Sequence, residues 1–259
     1  MGNKQTVTSR FLLFLESIAL KIFGFPSSTH LIGYSIVLRW LKAQKKEKVC
    51  DIGCGRGGLC FKLFKKGCEI CGVDISKDKM QRNMKIFGRS IDFVADNGES
   101  LPFRSCVFDK CVSTFVLEHF QNDIRALKEI NRVLKPNGIL VLTADSLSYP
   151  RANKNFVEKE KMGNVNNYTK QSLKEILEKA GFEVINQKYF NNSPISYFFF
   201  RLATINNLFS VLTTIVYPIC LISDELFGTD EGGMHIAVSY THLRAHETEA
   251  DLVCRLLLE

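Results

Sequence analysis

The chain has 259 residues, a mass of 29.4 kDa, 46% hydrophobic and 24% charged residues, and a net charge of +7. That length holds one large domain or two small ones, and the balance is that of a packed globular protein. It excludes a disordered chain, a collagen-like chain and a small disulfide scaffold. The excess of Lys+Arg (34) over Asp+Glu (27) is too mild for a dedicated nucleic-acid-binding module, and no nucleic acid is expected as a partner. It suits an anionic ligand or an anionic membrane surface.

Nine cysteines are an odd number, and most lie in apolar runs where Cys acts as a small hydrophobe. The start has no apolar core or cleavage site of a secretory signal, so the thiols are expected reduced and the compartment cytoplasmic. Met1–Thr6 fits the myristoylation pattern, but the pattern is short and a chance match is the better reading. From Arg10 to Phe25, Phe11, Phe14, Leu15, Ile18 and Ile22 share one helical face. Pro26-Ser27-Ser28 breaks that helix, and a second is expected from His30 to Ala43. Residues 1–47 thus read as cap helices, packed on a domain or touching a membrane.

From Lys48 strands and helices alternate. Strands are expected at Val49–Ile52, Glu69–Val73, Ile91–Ala95, Val107–Thr114, Ile139–Thr143 and Phe182–Tyr189. Helices fall at Phe61–Lys66, Lys77–Phe87, Gln121–Leu134 and Thr169–Ala180, with Lys135-Pro136-Asn137-Gly138 stopping the third and Gly181 capping the fourth. This alternation predicts an α/β doubly wound, mostly parallel sheet with helices on both faces. Cys68 and Cys71 form C-x-x-C, but on a strand they point to opposite faces, so no metal site is expected.

Leu202–Ser223 runs 22 residues without charge, long enough to span a bilayer. Asn206, Asn207, Ser210, Thr213, Thr214 and Pro218 make it too polar for a span, and an apolar cap or interfacial helix is the preferred reading. Ser239–Glu259 breaks from the pattern and looks like translated vector sequence. Residues 239–259 are therefore read as a non-native tail, dispensable for folding.

The chemistry-bearing stretch is Asp51-Ile52-Gly53-Cys54-Gly55-Arg56-Gly57-Gly58, a strand running into a glycine-rich turn. Glycines permit the tight turn and let a ligand approach the backbone. Gly53, Gly55 and Gly58 also satisfy G-x-G-x-x-G, a weak dinucleotide signal taken alone. Asp51 is the distinguishing feature: a carboxylate there suits a cationic ligand and would repel a pyrophosphate. Asp74 ends the second strand, where a carboxylate can accept hydrogen bonds from ribose hydroxyls.

With these residues the chain resembles the class I S-adenosylmethionine-dependent methyltransferases, in the small-molecule group with a DIGCGxG loop. Ala95-Asp96-Asn97-Gly98-Glu99-Ser100-Leu101-Pro102-Phe103 is similar to that family's G-D-A-x-x-L-P-F segment. Phe108–His119 resembles its fourth strand and loop, and Leu134–Leu140 its LKPGG turn. The resemblance implies a seven-stranded sheet whose last strand, Met234–Val238, is antiparallel, within a cofactor domain at 48–238. S-adenosyl-L-methionine is the implied cofactor. The implied contacts are Asp51, Gly53, Cys54, Gly55 and Gly57 at the loop, Asp74 and Ile75 at the ribose, Asp96 and Asn97 at adenine, and Thr114 at the fourth strand.

His119 is the candidate general base, since its ordinary pKa suits the work. The insert 194–227, rich in aromatics at Tyr197 to Phe200, is expected to form helices over the pocket mouth. It implies a hydrophobic or lipid-linked small acceptor and peripheral membrane contact. Two alternatives stay open at this point: a nicotinamide-dependent oxidoreductase, and a catalytically idle membrane-surface or partner-binding protein that keeps the fold.

Overall fold

The computed structural model describes residues 28–148, 165–203, 207–229 and 232–242. The helix expected at Arg10–Phe25 and most of the loop after Asp145 lie outside the described residues. In chain order the elements are α1 (Ser28–Leu41), β1 (Lys48–Ile52), α2 (Gly58–Lys65), β2 (Glu69–Asp74), α3 (Lys77–Phe87) and β3 (Asp92–Ala95). Then follow β4 (Phe108–Thr114), α4 (Asp123–Val133), β5 (Leu134–Asp145), α5 (Lys170–Lys179), β6 (Phe182–Phe190), α6 (Pro194–Ala203), α7 (Asn207–Phe227) and β7 (His235–His242).

Local chemistry sets the helix starts. The Ser76 side chain caps α3 by accepting from the Lys79 amide, and Asn122 caps α4 by accepting from Arg125. Thr169 and Ser172 form a reciprocal capping box on α5. The strands pair in the order β3-β2-β1-β4-β5-β7-β6. β1 pairs in parallel with β2 and β4, with Ile52 beside both Val73 and Ser113, so the carboxyl ends of three strands meet at one edge. β7 alone runs antiparallel, between β5 and β6.

Two apolar layers hold the sheet. Tyr34, Val37 and Leu41 of α1, with Leu59, Leu63 and Met80, cover one face. Leu127, Ile130, Leu173 and Leu177 of α4 and α5 cover the other. Each fully buried leucine of this kind contributes about 1.5–3 kcal/mol.

The structure changes the reading of the tail and of one cysteine. β5 begins at Leu134, directly after α4, and Lys135-Pro136-Asn137-Gly138 turns within it: Leu134 pairs with Phe108 and Ile139 with Lys110, and none of the four between pairs with β4 or β7. Asn137 takes this turn at φ 63°. The tail boundary at Ser239 is wrong. β7 continues to His242, with Ser239 and Tyr240 buried and Tyr240 packed on Phe182. A strand covered on both faces and both edges shows no polar alternation to mark its course; residues 243–259 lie outside the described residues.

The uncharged stretch is split between α6 and α7, and no helix among the described residues is long and apolar enough to cross a membrane. Among the described residues seven cysteines are free, whereas Cys106 is disulfide-bonded, against the expectation of reduced thiols throughout. No group of residues that could hold a metal occurs among the described residues.

Candidate functional site

β1 delivers its chain into the glycine loop at the carboxyl edge of the sheet, and a cleft of about 650 Å³ opens there. Gly53, Cys54, Gly55, Asp74, Ile75, Asp96, Asn97, Thr114 and His119 all line it. Four separate segments, each ending a strand, supply these residues. Two of the expected contacts stand back from the cleft. Gly57 closes the turn, where a Cβ would press on Phe87 and Phe93, and Asp51 is buried beneath the loop.

Two glycines show why the loop needs them. Gly53 sits at φ 74°, and a Cβ on it would collide with the side chain of Val116. Gly55 has φ 54°, and a Cβ there would meet only one backbone oxygen, at 4.0 Å. The space above Gly55 is therefore open to a ligand rather than filled by protein.

Asp74 ties the loop in place. Its Oδ2 accepts from the Gly55 amide at 3.0 Å and its Oδ1 from the Ser76 amide at 2.9 Å. Lys79 lies 3.7 Å from Oδ1. An ionised carboxyl has about four acceptor positions, so two remain for hydroxyls. Asn83, from α3, completes the clamp by donating to the Gly55 carbonyl at 2.9 Å. At the rim, Asp96 Oδ1 accepts from the Asn97 amide, and Asn97 Oδ1 from the Glu99 amide. Ile75 is 75% exposed, a flat apolar face between Asp74 and Asp96.

Asp51 has the most unusual surroundings. Cys60 Sγ donates to its Oδ2 at 3.1 Å, while its Oδ1 is buried without a hydrogen-bond partner. Burial pushes its carboxyl from 3.8 up to about 7, opposed by the Cys60 contact and assisted by the Asp74 charge. Tyr34 of α1 lines the cleft, and burial with the charge of Asp51 raises its hydroxyl well above the usual tyrosine range.

These residues fit an adenosyl sulfonium ligand: open space over Gly55, an apolar face at Ile75, and carboxylates at Asp74 and Asp96. Sequence reasoning missed Tyr34, Phe115, Val116, Phe120, Gln121 and Asn83. The 115–121 group adjoins a motif that was read only for its strand and its histidine. Tyr34 and Asn83 carry no local signal, because the fold brings them in from other helices.

The insert leaves β6 at the same edge as the cleft. It packs on α1, with Phe199, Tyr217, Cys220 and Leu221 around Ile32, Ile36 and Phe190. Among the described residues none of the insert lines the cleft. Phe115 stands between the described part of this cluster and the cleft.

A methyltransferase domain family matches residues 31–187. The chain is 34% identical over 110 residues to demethylmenaquinone methyltransferase of Corynebacterium kroppenstedtii, covering 40% of this chain and 47% of that one. It is 33% identical over 145 residues to the mitochondrial arginine-hydroxylase NDUFAF5 of Mus musculus, covering 52% and 42%. The chain thus spans about half the length of the curated relatives it matches. Among solved structures, an S-adenosylmethionine-dependent methyltransferase from Mesorhizobium loti superposes with a TM-score of 0.61, at 16% identity, over 81% of this chain and 97% of that one. At that identity the likeness shows the fold alone. Together with the glycine loop and the carboxyl-edge cleft, the family match establishes that this chain belongs to the class I S-adenosylmethionine-dependent methyltransferases.

Proposed function

We propose that the protein transfers a methyl group from S-adenosylmethionine to a small hydrophobic or lipid-linked acceptor. The family alone does not fix the reaction, since a relative of similar identity is named for hydroxylation. The carrying observation is the two-sided cleft. Loop, Asp74 and Asp96 form a polar side, and Tyr34, Phe115, Val116 and Phe120 form an apolar one. The relative named for demethylmenaquinone, a molecule with a flat ring and a hydrocarbon chain, supports the apolar acceptor.

When bound, S-adenosylmethionine supplies a methyl group on a positively charged sulfur, already activated for displacement. The protein's own contribution is then proximity, orientation and exclusion of water. Asp74 and Asp96, which line the cleft, would hold the two ends of the nucleoside. Phe115, Val116 and Phe120 keep water from the acceptor side. His119 is exposed on the cleft wall and would accept the proton from an acceptor that must lose one.

Peripheral membrane contact belongs to the same reading. Ile219, Ile222, Leu226 and Phe227 recur at helical spacing along α7 and are all more than half exposed, as is Phe198 of α6. Incubation with methyl-labelled S-adenosylmethionine and a lipid-soluble extract tests the transfer. Label should move into the organic phase with the wild-type protein and not with a Gly55→Val variant. Label in neither sample, with cofactor bound, would refute the acceptor class. Liposome flotation tests the membrane half separately.

A further inference from the structure

Phe115 follows β4 at a φ of 55°, a left-handed conformation that side-chain-bearing residues rarely adopt. Its amide donates to the Thr143 carbonyl at 3.0 Å, which fixes the backbone to β5. Among the described residues the ring touches Gly33, His235 and Phe190. Its edge rests on the bare backbone of Gly33 in α1, where an added Cβ would come within 3.3 Å. His235 meets it edge-on with ring centroids 5.0 Å apart, and Phe190 lies at 6.1 Å. His235 is itself held by Asn191 at 3.0 Å and lies 3.5 Å from Asp145.

A strained backbone persists only where its surroundings over-determine it, and such positions cluster at functional sites. Here the turn also joins the cofactor side, because Gly53 must be bare to admit the neighbouring Val116. The ring lines the cleft on one side and packs with the apolar cluster under the insert on the other. It is the partition between them.

We propose that Phe115 is the specificity-determining wall of the acceptor side: its strained, buttressed ring favours acceptors built on a flat unsaturated ring over puckered aliphatic ones of the same skeleton. This rests on the methyl-transfer reading above and names the acceptor class within it. Aromatic pairs gain beyond simple burial when ring faces or edges meet, and an aliphatic side chain of similar size forgoes that gain.

The test is calorimetric titration of the full chain, saturated with S-adenosylhomocysteine, with 2-naphthol and with decahydro-2-naphthol. The wild type should bind 2-naphthol about threefold to tenfold more tightly. Phe115→Leu should abolish that preference in a variant that still binds S-adenosylhomocysteine, and Phe115→Tyr should keep it. If Phe115→Leu fails to fold, judged by thermal melting, Phe115→Met takes its place. No preference in the wild type, no binding of 2-naphthol, or a preference that survives in the aliphatic variants would overturn the proposal. Failure of S-adenosylhomocysteine to bind the wild type would instead refute the underlying methyl-transfer reading.

Discussion

Replacing Asp51 by Asn should stabilise the protein, and increasingly so as the pH rises above about 4. The carboxyl is 1% exposed, with one oxygen held only by a thiol and the other unpartnered. Its pKa rises from 3.8 to about 7 on folding, so the folded state holds the proton more tightly than the unfolded one. Below about pH 4 both states are protonated and the group costs nothing. From there to about pH 7 the unfolded chain ionises while the folded one does not, and stability falls. Above pH 7 the full cost is about 4 kcal/mol. The amide of Asp51→Asn is neutral throughout and keeps an oxygen for Cys60. The stability difference between variant and wild type should therefore grow by roughly 2–3 kcal/mol between pH 5 and pH 8.5. Urea melts at fixed ionic strength measure it. A difference in stability that is flat with pH would show that Asp51 does not fold as a strained acid.

Asp74→Asn offers an amide where two backbone N–H groups need acceptors, so the Gly55 or the Ser76 contact must break. Cofactor affinity should drop by about 1–3 kcal/mol, read by calorimetry, with little change in secondary structure by circular dichroism. Tyr240→Ala should cost about 3–5 kcal/mol in a denaturant melt, and deletion of residues 239–259 should leave no cooperative transition, because β7 pairs on both sides there. His119→Ala should lower kcat while leaving S-adenosylhomocysteine affinity unchanged, and raising the pH should restore part of the rate.

The sequence carried the sheet plainly, because short apolar strands alternate with amphipathic helices and Asp74 closes the second strand. Asp74 and Asp96 could be placed at one edge without coordinates, since parallel strands put all their carboxyl ends together. The failures have physical causes. Leu134–Gly138 holds proline, asparagine and glycine, which signal a turn, and Asn137 takes that turn at a left-handed φ, but nothing in the sequence marks Leu134 before it as already paired with β4. Ser239 and Tyr240 resembled foreign sequence, and burial on both faces of β7 hid the strand they belong to. The acceptor side was the least legible. Tyr34 comes from α1, and Phe115 depends on Gly33, Phe190 and His235, residues far apart in the chain that only tertiary packing assembles.

The central claim is that the carboxyl-edge cleft is an adenosyl sulfonium site, with the open glycine loop at its heart. Calorimetric titration with S-adenosylmethionine, in parallel with NAD, tests it most directly, with Gly55→Val as the control. The account predicts one S-adenosylmethionine site per chain, no detectable heat with NAD, and loss of the S-adenosylmethionine signal in a folded Gly55→Val variant. Binding of NAD in place of S-adenosylmethionine, or undiminished binding by the valine variant, would contradict it.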